Sequence, residues 1–326
     1  MKLLFYGFRH GHVNTLYRYA CLHPEIEIAG CIEPDDDARA KAERELGAVF
    51  SEQTYDSRLN SDIDAVAIGC AYGDRGDAVI RALQAGKHVI SDKPLCTTRS
   101  QLETITRLCR ENDLKITCML DLRYLPQTLA ARELIASGRL GRVRNIAFNG
   151  QHCIDYANRP GWYFEAGRHG GTINDLAIHG VDLVRMLTGL EITHIDAARV
   201  WNAYAVRHPD FRDCAVFMAR LSNGAGVLAD VSYSAPSQVF SLPYYWEFRI
   251  WCDRGVLSFC YNEPNVTLFE DGGPAESITY SGKIIGYIDE FLSEIHNNTN
   301  SVTENVLAST QTALLLQEQA DKEWNK

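Results

Sequence analysis

Short apolar runs alternate with helical stretches over roughly the first 120 residues, and this alternation restricts the fold more than any other feature. Continuous apolar strands separated by helices are typical of βαβ units, whose parallel sheet is covered on both faces. We therefore predict a doubly wound, Rossmann-type parallel sheet. Its strands are predicted at 3–6, 26–32, 65–69, 88–90 and 115–119, and its helices near 11–22, 35–46, 74–85 and 98–112. Ser100, followed by Glu103, is the predicted N-cap of the fourth helix.

The pattern changes beyond residue 121, where strands follow one another with short turns. Asn223-Gly224 is a strong hairpin signal, and consecutive strands of this kind indicate a largely antiparallel sheet. We predict a Rossmann domain over residues 1–121 and an α+β domain with a large, mostly antiparallel sheet over 122–326. Helices are predicted near 126–137, 172–188, 284–296 and 302–322, and strands near 193–205, 213–221, 226–234, 245–251, 256–260 and 265–269.

Length, charge and cysteine usage limit the class of protein. A chain of 326 residues suits two domains, and its formal net charge of −10 disfavours a nucleic-acid or anionic-membrane partner. No apolar run approaches the roughly 20 residues that span a bilayer, and the first residues resemble a strand rather than a signal peptide. None of the ten cysteines forms a Cys-x-x-Cys pair. We expect reduced, structural thiols in a cytoplasmic protein.

A glycine-containing loop joins the first strand to the first helix. A dinucleotide fingerprint would place glycine at positions 7, 9 and 12, but only Gly7 matches. The strand-to-helix context nevertheless offers backbone N–H groups for a pyrophosphate, and Arg9 or His10 would add a phosphate contact. The alternative is a glycine turn that binds no nucleotide.

Glu33 ends the second strand, 26 residues after Gly7. A carboxylate at that place accepts hydrogen bonds from an adenosine ribose and repels a 2′-phosphate, which favours NAD over NADP. The alternative is a solvated carboxylate next to the acidic run 35–37, which is predicted to open the following helix.

Lys93 follows the fourth predicted strand, in the sequence Asp92-Lys93-Pro94. Proline cannot donate to a strand ladder, so the strand ends here. Ligands of open α/β sheets bind beyond the carboxyl ends of the strands, where Lys93 is expected. Its ammonium would bind a substrate oxygen, move a proton, or pair with Asp92.

Asp175 and His179 stand four residues apart in a predicted helix that follows a glycine-rich turn. This spacing places both side chains on one helix face, where a carboxylate orients an imidazole for general acid–base catalysis. The alternatives are a helix-surface ion pair or a metal site, as in a metal-dependent hydrolase. No further ligand spacing completes such a site, so we predict no metal.

Together these stretches resemble the glucose-fructose oxidoreductase / inositol dehydrogenase (Gfo/Idh/MocA) family. The resemblance covers nearly the whole chain and is most specific at 85–94 and 170–179. It implies that Lys93 contacts substrate and nicotinamide, that His179 exchanges the proton, and that Asp175 is its partner or a substrate ligand. The cofactor-binding residues that it implies are Gly7, Phe8, Arg9, His10, Gly11, His12, Glu33, Cys70, Tyr72, Arg75, Asp92 and Lys93. The implied substrate-binding residues are Arg123, Trp162, Tyr163 and Asn174.

This chain departs from the family's usual pattern at three places. Asp92 replaces the usual glutamate, Arg75 stands where many relatives have histidine, and the glycine fingerprint is altered. Trp162 and Tyr163 would stack on a sugar-like ring, although anchoring the core is an equally good interpretation. Tyr244, Tyr245 and Trp246 fit an interface or a core equally well.

The resulting functional prediction is an NAD-dependent oxidoreductase. It would move a hydride between nicotinamide and a secondary alcohol or ketone of a sugar, cyclitol or related polyol. The alternatives are a non-catalytic NAD-binding sensor or scaffold, and a glycosidase that uses NAD for transient oxidation. The resemblance also implies a homodimer or homotetramer, because the C-terminal sheets of the family commonly pack face to face.

Overall fold

The computed structural model describes residues 1–242 and 244–324, which form two compact units. The first unit consists of Met1–Met119, Pro160–Gly170 and Tyr287–Thr310. The second unit takes the remaining segments, 120–159, 171–286 and 311 onward. The first unit therefore includes two segments from beyond residue 121. The predicted division of the chain at 121/122 stays a prediction.

Five parallel strands form the sheet of the first unit, as predicted. Their spatial order is β2-β1-β3-β4-β5, so the chain reverses its direction of winding after β2. Leu3, Leu4 and Phe5 are fully buried, as expected for a strand with helices on both faces. The strands are β1 (Lys2–Tyr6), β2 (Glu27–Ile32), β3 (Ala65–Ile68), β4 (His88–Ser91) and β5 (Ile116–Cys118).

The sequence predicted four of the five helices between these strands close to where they lie, and it missed the short helix at 55–59. The five helices are α1 (Gly11–Leu22), α2 (Asp36–Leu46), α3 (Tyr55–Leu59), α4 (Tyr72–Gln84) and α5 (Arg99–Asn112). The predicted cap of α5 is wrong: Thr98, not Ser100, accepts the hydrogen bond from the Gln101 backbone N–H, at 3.2 Å. Both hydroxyls stand near the helix start, but only Thr98 has the extended backbone of an N-cap.

Eight strands form the sheet of the second unit, in the order β13-β12-β11-β10-β6-β9-β8-β7. The sheet is antiparallel except between β6 and β9, and β8 and β9 form the predicted hairpin at Asn223-Gly224. The sequence prediction missed β6 and β13, whose polar residues hide the strand pattern. The strands are β6 (Val143–Gln151), β7 (Ile192–Trp201), β8 (Cys214–Leu221), β9 (Gly226–Ser232), β10 (Phe248–Cys252), β11 (Gly255–Phe259), β12 (Asn265–Glu270) and β13 (Ala275–Thr279).

Helix α7 (Ile178–Thr188) packs against this sheet at a position that only glycine can occupy. A Cβ on Gly180 would lie 2.1 Å from the Phe148 ring. That ring stacks on Phe248, which in turn stacks on Phe259, so the aromatic core of the unit lies under α7. The remaining helices are α6 (Pro126–Ala136), α8 (Tyr287–Asn297) and α9 (Ser301–Trp324). None of the helices described is long and apolar enough to cross a membrane.

Candidate functional site

Two loops of the first unit meet where β1 and β3 end. Gly7 has a φ of +85°, and a Cβ at this position would lie 2.4 Å from the Cys70 backbone nitrogen. A Cβ on Gly69 would lie 2.6 Å from the Val13 side chain. Glycine is therefore required at both positions for the two loops to pack this closely. The meeting point is the place where the strand order reverses, where open α/β sheets bind ligands.

A cavity of about 590 Å³ lies beside these loops. Glu33 lines it, and its carboxylate accepts hydrogen bonds from the Phe8 N–H at 2.5 Å and the Asp35 N–H at 2.8 Å. Burial raises the pKa of Glu33 above its usual value. Arg9, which also lines the cavity, pairs with Asp35 at 3.2 Å. The cavity is lined by Tyr6, Arg9, Glu33, Pro34, Cys70, Ala71, Asp74, Asp77 and Arg81.

Asp92 is the centre of a polar cluster that we call the Asp92 cluster, formed by Asp92, His10, His12 and Arg75. His10 Nδ1 lies 2.8 Å from one carboxylate oxygen of Asp92, and His12 Nδ1 lies 3.0 Å from the other. Burial by itself raises the pKa of a carboxyl, but contacts with His10 and Arg75 hold the pKa of Asp92 well below its usual value. Burial lowers the pKa of His10 to about 4, so this imidazole is neutral at neutral pH.

Three members of the Asp92 cluster are of metal-ligand type. The ligand atoms of His10, His12 and Asp92 all lie within 4.8 Å of one another. However, ligands of a tetrahedral zinc are separated by roughly 3.3 Å, whereas the two nitrogen–oxygen distances here are hydrogen-bond distances. Arg75 also donates to the oxygen that His10 contacts, at 3.1 Å. The negative charge of Asp92 is thus already balanced by the buried Arg75. The geometry therefore favours a hydrogen-bonded cluster over a metal site.

Lys93 lies at the end of β4, where the sequence predicted it. Its side chain is almost completely buried, and its backbone N–H donates to the Asp92 carboxylate at 2.7 Å. The Lys93 ammonium lies 5.8 Å from the centre of the Tyr72 ring, and the Arg75 guanidinium lies 4.7 Å from it. Tyr72 therefore contacts two cations, an arrangement that the electron-rich face of its ring stabilises.

Trp162 and Tyr163 belong to a buried aromatic cluster in the first unit. Their exposed fractions are 2% and 1%, and the Tyr163 hydroxyl lies 2.6 Å from that of Tyr72. The His169 ring lies 5.1 Å from the Tyr163 ring. In this conformation neither predicted stacking residue presents an open face to solvent. Their contact with substrate stays a prediction.

In the second unit, a single π-type turn over Ile173–Ala177 precedes α7 and carries Asn174 and Asp175. Gly171, two residues before this turn, has a φ of +96°, and a Cβ here would overlap the Gln317 side chain. The Gln317 amide oxygen accepts the Ile173 N–H at 2.9 Å, which satisfies a donor at the start of the turn. Asn174 is fully buried.

Asp175 and His179 are both buried, and we use the name His179 cluster for these two residues together with their respective ring partners, Tyr233 and Trp246. The Tyr233 hydroxyl donates a hydrogen bond to the Asp175 carboxylate. The Trp246 and His179 rings meet in a T-shaped arrangement, with 5.5 Å between ring centres. Trp246 also covers Gly150, where a Cβ would lie 2.5 Å from the indole. Such a group can orient an imidazole and a carboxylate for proton transfer.

Arg123 forms a bidentate ion pair with Asp182, one helical turn beyond His179. Its Nε and Nη2 lie 2.5 Å and 2.9 Å from the two carboxylate oxygens. Paired arginine and carboxylate groups of this geometry fix one another's orientation. Arg123 therefore joins the short helix at 121–124 to α7. A direct contact of Arg123 with substrate stays a prediction.

Sequence reasoning missed several residues that complete these groups. It did not connect Tyr233 or Gln317 with the helix start, because both lie far along the chain. It left Tyr245 and Trp246 open between an interface and a core; both are buried, whereas Tyr244 is exposed. The sequence signal for Trp246 is its place in the strand predicted near 245–251, which does not distinguish a site residue from a core residue.

Two family profiles match the chain and together cover most of it. The profile described as "Oxidoreductase family, NAD-binding Rossmann fold" (GFO_IDH_MocA) matches residues 7–119. The profile described as "GFO/IDH/MocA C-terminal domain" matches residues 128–258. The first match contains the glycine loop and Lys93, and the second contains the His179 cluster.

Curated relatives share less than a third of their residues with this chain. Levoglucosan dehydrogenase from Pseudarthrobacter phenanthrenivorans is 28% identical over 48% of this chain and 41% of its own length. Inositol 2-dehydrogenase from Rhizobium meliloti is 29% identical over 48% of this chain and 47% of its own length. The matched region thus spans about half the length of these relatives.

A solved structure shows the same fold over nearly the whole chain. It is a levoglucosan dehydrogenase in complex with NADH and levoglucosan, with a TM-score of 0.80 and 19% sequence identity. The superposition covers 99% of this chain and 96% of that one.

Proposed function

Since this chain belongs to the Gfo/Idh/MocA oxidoreductase family, we propose that it is an NAD-dependent dehydrogenase. It would exchange a hydride with a secondary alcohol or ketone of a sugar, cyclitol or related polyol. The observation that carries this proposal is the close packing of Gly7 on Cys70 beside the cavity, with Lys93 at the end of the neighbouring strand.

The residues around the cavity fit a dinucleotide. The turn at Gly7 has no room for a side chain, which lets a cofactor approach the backbone. A volume of about 590 Å³ lies within the range of small-molecule sites. The residues that would hold NAD are Glu33, Tyr72 and those of the glycine loop, residues 7–12. Bound nicotinamide would supply the hydride chemistry, and the protein its orientation.

Glu33 supports NAD as the preferred cofactor. Two backbone N–H groups fix its carboxylate at the edge of the cavity. A negative charge held there repels a 2′-phosphate and accepts hydrogen bonds from ribose hydroxyls. The adjacent Arg9 is paired with Asp35, so its charge is partly balanced.

The roles of the acid–base residues follow from the resemblance and from their surroundings. His179 would take the hydroxyl proton of the substrate during oxidation and return it during reduction. Asp175, held by Tyr233, would orient the imidazole or bind a substrate hydroxyl. The Lys93 ammonium would stabilise the negative charge that develops on the reacting oxygen. Asn174, Arg123, Trp162 and Tyr163 are proposed to shape the substrate side.

A stereochemically broad polyol screen tests this function. The full-length protein is incubated with NAD⁺ and each sugar or cyclitol, including myo-inositol and levoglucosan, and NADH is followed by its absorbance. Turnover of a substrate from this panel is expected. Tight NADH binding without turnover of any alcohol or of the matching ketones would overturn the proposal in favour of a sensor. Release of an aglycone from a glycoside without net NADH would identify the glycosidase.

Replacement of Lys93 and His179 tests their roles. Lys93→Met and His179→Asn should each leave the Kd for NADH within about threefold and lower kcat by about a hundredfold or more, because each removes a group that acts in the transition state. If both act on one reacting oxygen, the double variant should lose much less than the product of the two single losses. Wild-type turnover in both single variants would rule out this assignment.

Self-association and a cytoplasmic location complete the proposal. The outer face of the second unit's sheet carries exposed apolar side chains on four strands, which suits a homodimer or homotetramer. These side chains are Val216, Met218, Leu228, Trp251 and Phe269. All ten cysteines are free thiols, which fits a reducing compartment such as the cytoplasm.

A further inference from the structure

Arg75 is the most completely buried cation near Lys93. None of its surface is exposed to solvent. Its Nη1 donates to the Lys93 carbonyl oxygen at 2.5 Å and to the Pro94 carbonyl oxygen at 3.0 Å. Its Nη2 donates to the Cys70 carbonyl oxygen at 2.9 Å and to the Asp92 carboxylate at 3.1 Å. One guanidinium therefore ties the turn after β4 to the loop after β3.

The planar guanidinium is the group that this arrangement needs. Four acceptors surround it, and three of them are backbone carbonyl oxygens, which cannot move without moving the chain itself. The two Nη groups of Arg75 form a planar fork of donors. A lysine ammonium presents three donors on a flexible stem and cannot reproduce this fork. The bonds to the Lys93 and Pro94 carbonyls fix the direction in which the backbone leaves β4. That direction determines where the Lys93 side chain begins.

Arg75 also balances the charge of the Asp92 cluster. The Asp92 carboxylate is fully buried, and an unpaired buried carboxylate is costly. Arg75 pairs with this carboxylate and balances its charge. Arg75 and Lys93 further share the Tyr72 ring, which stabilises two neighbouring cations that would otherwise repel each other.

We propose that Arg75 is a positioning residue for Lys93. By binding the carbonyl oxygens of Lys93 and Pro94, and by neutralising Asp92, it holds the lysine side chain in one buried orientation. Arg75 itself contacts neither substrate nor cofactor in this proposal. Its importance for turnover rests on the proposed dehydrogenase function, but its effect on Lys93 does not.

Competitive acetylation of the lysine amines tests the effect on Lys93 directly. The folded protein is labelled with trace acetic anhydride, and the extent of reaction at Lys93 is measured by peptide mass spectrometry against the denatured chain. Arg75→Gln should raise the Lys93 labelling rate by about tenfold or more, because the side chain gains freedom and exposure once the fork is lost. Unchanged labelling in folded Arg75→Gln would overturn the proposal.

Arg58→Gln is the matched control. Arg58 belongs to the same unit and also donates to a backbone carbonyl oxygen, that of Ala29, at 2.6 Å. The Arg58→Gln substitution should leave the labelling rate of Lys93 unchanged. An equal increase in both variants would mean that general loosening of the unit, and not positioning, explains the result.

If Arg75→Gln does not fold, Arg75→Lys is measured instead. This variant should still raise the labelling rate of Lys93, because it keeps the positive charge but loses the fork.

Kinetics distinguish positioning from a purely structural role. With a substrate from the polyol screen, Arg75→Gln should lower kcat by about a hundredfold while the Kd for NADH stays within about threefold. Added methylguanidinium should restore part of the activity of Arg75→Gly. If the loss of activity only matches the loss of folded protein, and methylguanidinium does not restore activity, the role of Arg75 is purely structural. If no substrate is found, the labelling result still decides for or against Arg75, so the two proposals fail separately.

Discussion

The Tyr233 hydroxyl donates a hydrogen bond to the Asp175 carboxylate, and both side chains are buried. Tyr233 follows the last residue of β9, whereas Asp175 lies in the π-type turn before α7. The bond therefore connects the sheet of the second unit to the helix that carries His179. The proposed acid–base role of His179 and Asp175 requires fixed side chains, and this contact fixes the Asp175 carboxylate.

Tyr233→Phe removes that donor without changing the shape of the ring. We expect kcat to fall between about tenfold and a hundredfold, because the carboxylate is no longer fixed. The free energy of unfolding should fall by about 2 kcal/mol, the usual effect of losing a hydrogen bond to a charged group. Steady-state kinetics and denaturant unfolding measure the two effects.

Tyr55→Phe is the control for this prediction. The Tyr55 hydroxyl is buried and donates to the neutral Ala78 carbonyl oxygen at 3.0 Å. Its loss should cost about 1 kcal/mol of stability and leave kcat unchanged. Equal effects of the two substitutions on kcat would contradict a special role of Tyr233.

Glu33→Gln should relax the proposed preference for NAD. The substitution keeps the size of the side chain and removes the charge that two backbone N–H groups hold at the cavity. The ratio of the Kd for NADPH to that for NADH should fall by about tenfold, equivalent to about 1.4 kcal/mol. Fluorescence titration with both nucleotides measures this ratio. Asp37→Asn, an equal charge change on the exposed start of α2, should not alter it.

The sequence predicts the first unit well because its signals are local. The apolar runs of β1, β3 and β4 are continuous, and the glycine turn and Pro94 mark where strands end. Lys93 could therefore be placed at a strand end from a short stretch of chain. The cap of α5 was wrong because Thr98 and Ser100 offer the same hydroxyl two residues apart.

The second unit depends on contacts that local patterns cannot show. Tyr233 lies 58 residues from Asp175, and Gln317 lies 144 residues from Ile173, so no spacing rule connects them. The spacing of Asp175 and His179 assumed a regular helix, yet Asp175 lies in a π-type turn with wider hydrogen bonding. The ion pair of Arg123 likewise depends on how α7 packs.

Met218→Glu should weaken the proposed self-association. Met218 is half exposed on β8 and pairs across the hairpin with Leu228, which is also half exposed. A carboxylate in a buried interface carries a large desolvation cost. Sedimentation velocity should show a smaller species than for the wild type. Leu22→Glu, an exposed apolar position on α1, is the control and should leave the assembly unchanged; dissociation in both variants, or in neither, would count against this face.

The partly buried imidazole of His10 should make the protein less stable as the pH falls. Burial lowers its pKa from 6.5 to about 4, against the opposing attraction of Asp92. The neighbouring His12 and Lys93 also lower the pKa of His10. Arg75, which pairs with Asp92, is a further positive charge in the cluster. Below pH 6.5 the unfolded chain binds a proton that the folded chain does not bind until about pH 4.

Stability should therefore be lost between about pH 6.5 and pH 4, by up to about 3 kcal/mol from this group. His10→Asn should remove this part of the pH dependence, although it also weakens the contact with Asp92 at every pH. Denaturant unfolding at several pH values measures the slope for both proteins. Parallel pH profiles for the wild type and His10→Asn would show that His10 is not responsible.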